Sequence, residues 1–422
     1  MGQSFSRRTP AIKEARLSHD AKETHRALLS DDVVFLTLSQ LAPWDGSGAA
    51  AACKVWRTHW KRRCAGLLRL ARHRVGAFRW CDHVVAKPGG GVIVSNYHES
   101  RLEIFSPKGE SQGAFVAGVS PFDTPGAVAL LGDERNTAWI ICEDNQNLVC
   151  VQLGDAIMGE DKFLEPSDQI ASPTMDFICP KDLALSPGGE FLLVLVDDYG
   201  ELGEVFVLNS RDGTIVGSFG FEEDDTFGNL HSPRGLAVQG DYCFVADTYN
   251  QQVCVFNWRS QTWVRCFGRR GAFLHRHLGD PEAEHPYWWD SVISDGSRGY
   301  EDERKGTGPG EFIEPVGVAV HGNMLYVSEL VGRRIQVMRL PDDILDLSSE
   351  PQVLQIIPAP GGQRLGGLCV DGERLWCVGP HCIGPPGDRE DTYVSLFSPY
   401  VQDPSGPRRR PRSTPCRREP PL

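Results

Sequence analysis

An apolar triplet with a small middle residue recurs along this chain and constrains its fold more than any other feature. A weaker copy is Val85-Ala86, and the five clear copies are Val128-Ala129-Leu130, Leu183-Ala184-Leu185, Leu236-Ala237-Val238, Val318-Ala319-Val320 and Leu368-Cys369-Val370. In four copies a proline stands three residues earlier, where its missing N–H is tolerated at the start of a strand. The small middle residue is expected because innermost strands that converge on a common axis leave little room for large side chains.

Each triplet is followed by a second short strand and then, after a polar turn, by a third. The predicted third strands are Leu102–Phe105, Val149–Val151, Val205–Val207, Val253–Phe256, Ile335–Val337 and Val394–Phe397. Successive units lie 45 to 59 residues apart once a polar insertion at 269–305 is set aside, close to the length of one four-stranded blade. The repeat therefore predicts a mainly β chain with a six-bladed β-propeller over residues 76–402, whose last strand is supplied by Val75–Trp80 after a linker at 65–75.

Two copies of the repeat carry a more specific pattern. One runs from Pro233-Arg234-Gly235 through Ala246-Asp247-Thr248-Tyr249-Asn250 to Val255-Phe256, and the other from Phe312 through Pro315-Val316-Gly317 to Ile335-Gln336-Val337. Both resemble the NHL repeat. The resemblance implies a six-bladed propeller used mainly to recognise proteins or RNA.

Residues 28–64 differ in kind from the repeats. Ser30 suits an N-cap and is followed by two acidic residues in the first turn, and apolar residues then recur at helical spacing up to Leu41. Pro43 ends this first helix, and a second helix from about Ala49 carries Trp56 and Trp60 on one stripe. The sequence thus predicts a small α-helical module before the propeller.

The stretch from Leu29-Ser30-Asp31-Asp32-Val33-Val34 through Leu38-Ser39-Gln40-Leu41-Ala42-Pro43 to Cys53-Lys54-Val55-Trp56-Arg57 resembles an F-box. In that family the helices dock on the Skp-type adaptor of SCF ubiquitin ligases, and a C-terminal repeat domain grips the substrate. The resemblance implies adaptor contacts from Leu29, Val34, Leu38, Leu41 and Pro43. The alternative is a helical cap that buries its stripe against the propeller.

Charge separates the propeller from the two ends of the chain. Residues 1–75 carry a net +8 and residues 403–422 a net +4, so the −13 of the whole chain leaves −25 for residues 76–402. A field of this sign disfavours nucleic acid and favours a basic protein target. The insertion offers Tyr287, Trp288 and Trp289 as aromatic anchors for such a target.

The two ends of the chain invite their own predictions. Met1-Gly2-Gln3-Ser4-Phe5-Ser6 fits the N-myristoylation pattern with Gly2 as acceptor, in a basic leader spanning 1–27. Residues 403–422 form a Pro/Arg-rich tail that is predicted to be disordered. The sequence contains no secretory or membrane-spanning apolar stretch, and its cysteines are scattered, so we expect a cytoplasmic protein with reduced thiols. The acyl chain on Gly2 would give it peripheral membrane contact.

Three groups of side chains are candidate metal ligands. Asn96, Glu143, Asp247 and Glu329 follow equivalent second strands and suggest a ring of Ca²⁺ ligands, although an Asp or Asn there more simply caps a turn. His275, His277 and His285, and separately Cys377, His381 and Cys382, contain zinc-type ligands but lack the usual paired spacing. We expect no metal and no cofactor.

These features together predict a non-enzymatic substrate-recognition subunit of a cullin-RING ubiquitin ligase. The helical module would bind the Skp-type adaptor, and the propeller would bind the target. The alternatives are an NHL propeller that serves as a scaffold or RNA binder without a ligase, and a metal-dependent propeller hydrolase.

Overall fold

The computed structural model of the chain describes residues 68–399 except 79–80, 82, 117–121, 143–146, 159–160, 174–176, 198–201, 222–227, 269–307, 363, 373 and 380–391. Within these residues, the strands form six sheets arranged as the blades of a propeller, which confirms the predicted mainly β, six-bladed architecture. The leader, the helical module and the tail lie outside the described residues. No helix in the described part is long and apolar enough to cross a membrane.

Each blade is described from its inner strand outward. Blade 1 contains β2 (Val84–Ala86), β3 (Val92–Asn96), β4 (Arg101–Phe105) and β5 (Ser111–Val116), with the short β9 (Lys162–Phe163) added parallel to β5. Blade 2 contains β6 (Pro125–Leu130), β7 (Thr137–Cys142), β8 (Asn147–Gln152) and β10 (Gln169–Ala171). Blade 3 contains β11 (Pro180–Leu185), β12 (Phe191–Asp197), β13 (Gly203–Asn209) and β14 (Ile215–Phe219).

The remaining three blades follow the same order. Blade 4 contains β15 (Gly235–Gln239), β16 (Tyr242–Asp247), β17 (Gln252–Asn257) and β18 (Thr262–Gly268). Blade 5 contains β19 (Pro315–His321), β20 (Met324–Glu329), β21 (Arg334–Arg339) and β22 (Gln352–Pro358). Blade 6 contains β23 (Leu368–Asp371), β24 (Arg374–Val378), β25 (Thr392–Pro399) and β1 (Leu68–Phe78). Short 3-10 helices lie at 97–99, 154–158, 166–168 and 360–362.

The ring is closed by β1, the first strand of the described residues, which pairs antiparallel with β25 as the outermost strand of blade 6. Val75 and Phe78 of β1 pack with blade 6 residues and with Phe105 of blade 1. The predicted latch is therefore confirmed, but it begins at Leu68 rather than Val75. Residues 68–75 are thus a strand and not a linker, and the compact unit spans 66–399 rather than 76–402.

The triplets form the six inner strands as predicted, but the small middle residue has a different role. In blade 3, Leu183 packs in the core shared with blade 2, whereas Ala184 packs against the core shared with blade 4. Blade 4 repeats this, with Leu236 facing blade 3 and Ala237 facing blade 5. Successive side chains of a strand point to opposite faces of the sheet, so the small residue fits the narrow gap between neighbouring blades rather than the central axis.

Close approach of the inner strands also explains Gly235. A Cβ atom there would lie 2.2 Å from the carbonyl oxygen of Val316 in the next inner strand. Backbone atoms cannot yield as a flexible side chain can, so only glycine fits this contact.

The strand registers define two faces of the propeller. We call one of these the upper face: the first and third strands of each blade begin there, and the second and fourth strands end there. In blade 4 the upper face is marked by two cross-strand pairs, Gly235 with Ala246 and Gln252 with Gly268. The paired ends Leu68 and Pro399 lie at the opposite, lower face. The insertion 269–305 joins the end of β18 to the start of β19, both at the upper face, and itself lies outside the described residues.

Candidate recognition face

The residues predicted for lipidation, adaptor binding and target binding all lie outside the described residues. This applies to the lipidation site Gly2, to the adaptor residues Leu29, Val34, Leu38, Leu41 and Pro43, and to the target residues Tyr287, Trp288 and Trp289. Of the residues weighed as zinc ligands, only Cys377 is described. It is a fully buried core residue between blades 5 and 6, and burial raises the pKa of its thiol.

The acidic residue that ends the second strand of blade 4 fastens the upper turns of that blade. Asp247 is fully buried; its Oδ1 accepts the backbone N–H of His231 at 2.7 Å, and its Oδ2 accepts Nδ2 of Asn250 and Nε2 of Gln252, both at 2.8 Å. Burial raises the pKa of Asp247 to about 6, although these hydrogen bonds act against the shift. The carboxylate therefore organises the turn that carries Tyr249.

Blade 5 repeats this arrangement around Glu329. Its Oε2 accepts the backbone N–H of Ile313 at 2.9 Å, and its Oε1 accepts Nε of Arg334 and Nε2 of Gln336, both at 2.8 Å. As in blade 4, the donors include a backbone N–H sixteen residues earlier and a side chain five residues later. Burial raises the pKa of Glu329 above its ordinary value, opposed by its partner Arg334.

These contacts favour the turn-fastening interpretation of the predicted oxygen ring. Asn96 also ends a second strand, and its Nδ2 donates to Oε1 of Glu103, seven residues later, at 3.0 Å. Glu143 lies outside the described residues. Asp197 ends the second strand of blade 3 and accepts a hydrogen bond from Ser232 Oγ at 3.2 Å. It belongs to the same set of strand-end residues, although the sequence did not point to it. In the described part of the chain, no three His, Cys, Asp or Glu side chains converge as metal ligands would.

A second polar network joins four blades at the upper end of the inner strands. His83 Nδ1 accepts the backbone N–H of Val128 at 3.2 Å, and His83 Nε2 lies 3.0 Å from Oδ1 of Asp182. Asp182 Oδ2 in turn accepts the backbone N–H of Leu236 at 2.7 Å, and its Oδ1 also accepts that of Leu183 at 2.8 Å. The Val128 bond fixes the imidazole as the tautomer with its proton on Nε2, directed at Asp182.

Neither His83 nor Asp182 was singled out from the sequence. One signal could have found Asp182, because it is a carboxylate in an inner strand whose counterparts are apolar or glycine. His83 carries no comparable signal: it lies just before β2 and meets Asp182 only because blades 1 and 3 both face the centre of the ring.

Exposed apolar side chains mark the upper face of blades 3 to 5, a surface that we call the upper rim. They are 38–50% exposed and comprise Ile178, Leu202, Phe221, Tyr249 and Val331. Each lies next to a strand end at this face. The Tyr249 ring stands edge-on to His231 at 5.2 Å, and burial raises the pKa of its phenol.

The lower face carries a contrasting loop at 341–351 after β21. Leu345 and Leu347 are 59% and 63% exposed there, while Arg265 Nη1 donates to the Asp346 carbonyl oxygen at 2.7 Å and ties the loop to blade 4. This loop supplies exposed leucines far from the upper rim, which makes them suitable controls for substitutions on that rim.

Known proteins resemble this chain in fold. No family model and no curated protein matches it by sequence. The luciferin-regenerating enzyme has a TM-score of 0.51 at 11% identity, over 78% of this chain and 95% of that one. A PQQ-bound aldose sugar dehydrogenase from Streptomyces coelicolor has 0.47 at 14%, over 78% and 97%, and a virginiamycin B lyase from Staphylococcus aureus has 0.42 at 11%, over 75% and 80%. At these identities the likeness shows the architecture alone.

One expectation is corrected by these similarities. The prediction that the chain is not an enzyme was drawn from its propeller fold, and the fold does not support that prediction. The luciferin-regenerating enzyme has the same architecture over most of both chains. A six-bladed propeller is therefore a scaffold for catalysis as well as for binding, and the fold does not separate the two.

Proposed function

We propose that this chain is a substrate-recognition subunit of an SCF-type ubiquitin ligase. Residues 28–64 bind a Skp-type adaptor, and the NHL-type propeller binds a basic protein target through its upper rim. The adaptor half of the proposal rests on the F-box resemblance, and the target half rests on the surface of the described propeller. N-myristoylation of Gly2 stays a prediction.

The observation that carries the target half is the clustering of apolar side chains on the upper rim. Single exposed apolar residues are ordinary on protein surfaces, but a group of them on one face is typical of an interaction site. Tyr249 and Phe221 are the aromatic members, and aromatic side chains dominate binding energy at interfaces. The buried hydrogen bonds of Asp247 hold the turn of Tyr249, so this side chain is presented with little freedom left to lose on binding.

Charge supports a basic target. The net −25 over residues 76–402 attracts cationic partners at long range, and the attraction is screened by salt. We therefore expect a target segment that combines Lys or Arg with apolar side chains, and binding that weakens as ionic strength rises.

The adaptor half is tested by Leu38→Asp with Leu41→Asp in the full chain. An unpaired carboxylate buried in an apolar interface costs several kcal/mol, so affinity for a purified Skp-type adaptor should fall at least about 100-fold. The matched control is Leu345→Asp with Leu347→Asp, which puts the same change on exposed leucines of the lower face and should leave adaptor affinity intact. If the wild-type chain does not bind the adaptor at micromolar concentrations, the ligase assignment is wrong.

The target half is tested separately with Phe221→Ser and Tyr249→Ser. We expect this variant to lose the proteins that cross-link to the wild-type chain in cells, measured by quantitative mass spectrometry, while Leu345→Ser with Leu347→Ser keeps them. Equal recovery by the rim variant, or loss only in the lower-face control, would place the binding site elsewhere.

A further inference from the structure

Two cysteines face each other across the outer strands of blade 4. Cys254 in β17 and Cys266 in β18 are directly opposed in register, and their Sγ atoms lie 2.6 Å apart. Opposed residues of antiparallel strands have Cα atoms about 4.5 or 5.5 Å apart, and a disulfide spans about 4.4–6.8 Å. The backbone already holds the two residues at a separation that a disulfide can bridge.

This opposition is specific to one pair. Among the cysteines in the described part of the chain, the others face different residue types across their strands: Cys150 faces Trp139, Cys369 faces Trp376, and Cys377 faces Leu368. The pairing of Cys254 with Cys266 is therefore not a general result of a cysteine-rich core.

The two thiols differ in access and surroundings. Cys254 is fully buried, and its Sγ lies 3.6 Å from Oδ2 of Asp247 as a hydrogen-bond donor. Cys266 is half-buried on the outermost strand of the blade, and its Sγ accepts Nε1 of Trp263 at 3.4 Å. Burial above all, and then Cys266 and Asp247, raise the pKa of the Cys254 thiol, so it stays protonated in the reduced protein.

The structure assigns Cys254 and Cys266 as an oxidisable dithiol site that closes to an intramolecular disulfide on reaction with a hydroperoxide. Cys266, the accessible member, attacks the peroxide oxygen as its thiolate; the O–O bond breaks, and Cys266 becomes a sulfenic acid as hydroxide or alkoxide leaves. Cys254 then attacks the Cys266 sulfur, the S–O bond breaks, and the oxygen leaves as water.

The electrons and protons of this sequence balance. Two thiols lose two electrons and two protons, and one hydroperoxide is reduced to water and an alcohol, or to two waters when the oxidant is hydrogen peroxide. Asp247 Oδ2 is the acceptor next to the Cys254 thiol; it takes the thiol proton as Cys254 attacks and returns a proton to the departing hydroxide, which leaves as water. The product would join β17 to β18 beside the carboxylate that holds the Tyr249 turn.

Peptide mapping of the full chain tests this assignment. Trypsin places Cys254 in the fragment 235–259 and Cys266 in the fragment 266–269, so the disulfide joins two separate peptides. After treatment of folded protein with hydrogen peroxide and alkylation of the remaining thiols, we expect these peptides linked, two hydrogen atoms lighter than their sum, and released by dithiothreitol.

Two variants sharpen the test. Cys243→Ala removes the other cysteine of fragment 235–259 and should keep the link, whereas Cys254→Ala should abolish it and leave Cys266 as a sulfenic acid that dimedone traps. The assignment is overturned if folded wild-type protein gives no linked peptide while Cys266 is oxidised further, or if the link forms only after denaturation. The wild-type measurement decides this even if a variant fails to fold.

Discussion

Replacing Asp182 with asparagine would test the network that joins four blades at the upper end of the inner strands. In the wild-type protein, Oδ1 of Asp182 accepts hydrogen bonds from Nε2 of His83 and from the Leu183 N–H, and Oδ2 accepts one from the Leu236 N–H. Asparagine keeps one oxygen and turns the other into an N–H donor. Because the N–H of Val128 occupies His83 Nδ1, the imidazole cannot change tautomer to accept the new donor.

The size of the effect follows from this mismatch. In either orientation the asparagine amide directs an N–H at a group that is itself a donor, His83 or Leu236. Leaving one buried donor unsatisfied costs about 1–3 kcal/mol. The side chains of His83 and Asp182 are 15% and 13% exposed, so water compensates in part, and we expect about 1–2 kcal/mol. Asp182→Ala removes the acceptor of all three donors, His83, Leu183 and Leu236, and should cost about 2–4 kcal/mol.

Urea unfolding of the full chain, followed by far-UV circular dichroism, measures these changes as shifts of the propeller midpoint. The control is Asp241→Asn, which alters an exposed carboxylate paired with Arg259 and should change stability by less than about 0.5 kcal/mol. A double-mutant cycle with His83→Ala isolates the bond between the two side chains. If Asp182→Asn is as stable as Asp241→Asn, the carboxylate does not bridge the blades.

Three other predictions concern the ring, its pH dependence and its insertion. Val75→Asp buries a carboxylate between blades 6 and 1 and should lower the melting temperature strongly, whereas Leu70→Asp, on an exposed position of the same strand, should not. The pKa of Asp247 is raised to about 6, so its stabilising contribution is present below its ordinary pKa and is lost as pH rises through about 6. Wild-type protein should therefore gain up to about 3 kcal/mol relative to Asp247→Asn on acidification from pH 7 to pH 4, and parallel pH profiles would contradict this. Deleting 269–305 should abolish target capture with the melting temperature nearly unchanged; a large fall in melting temperature would show that the segment stabilises the propeller.

Most of the propeller was predictable because its signals are local. The triplets around Ala129, Ala184, Ala237 and Ala319 mark inner strands through alternation and a preceding proline. Even the closing strand could be anticipated, since an unpaired edge in blade 6 requires a partner. Its start at Leu68 was missed because Leu68-Arg69-Leu70-Ala71-Arg72 lacks the regular alternation of a strand, and the pairing with β25 contains several register shifts.

The candidate site was less predictable. Acidic residues at the ends of second strands were found from their equivalent positions, but their role as acceptors depends on N–H groups sixteen residues earlier in the chain. Tyr249 was part of a repeat motif, yet nothing in the motif indicates that it is exposed on the same face as Phe221 and Val331. Exposure is a property of the assembled blades and not of any one repeat.

The sequence by itself determined the six repeats, the order of strands within each blade and the acidic charge of the propeller, because strand alternation, turn residues and charge are set by neighbours in the chain. Only the tertiary structure decided which side chains meet between blades. His83 reaches Asp182, and Ala184 faces blade 4 rather than the axis, because closing six blades into a ring fixes the spacing and angle of their inner strands. The opposition of Cys254 and Cys266 likewise depends on the register between two strands, which a turn and a β-bulge set and the positions of the cysteines alone do not reveal.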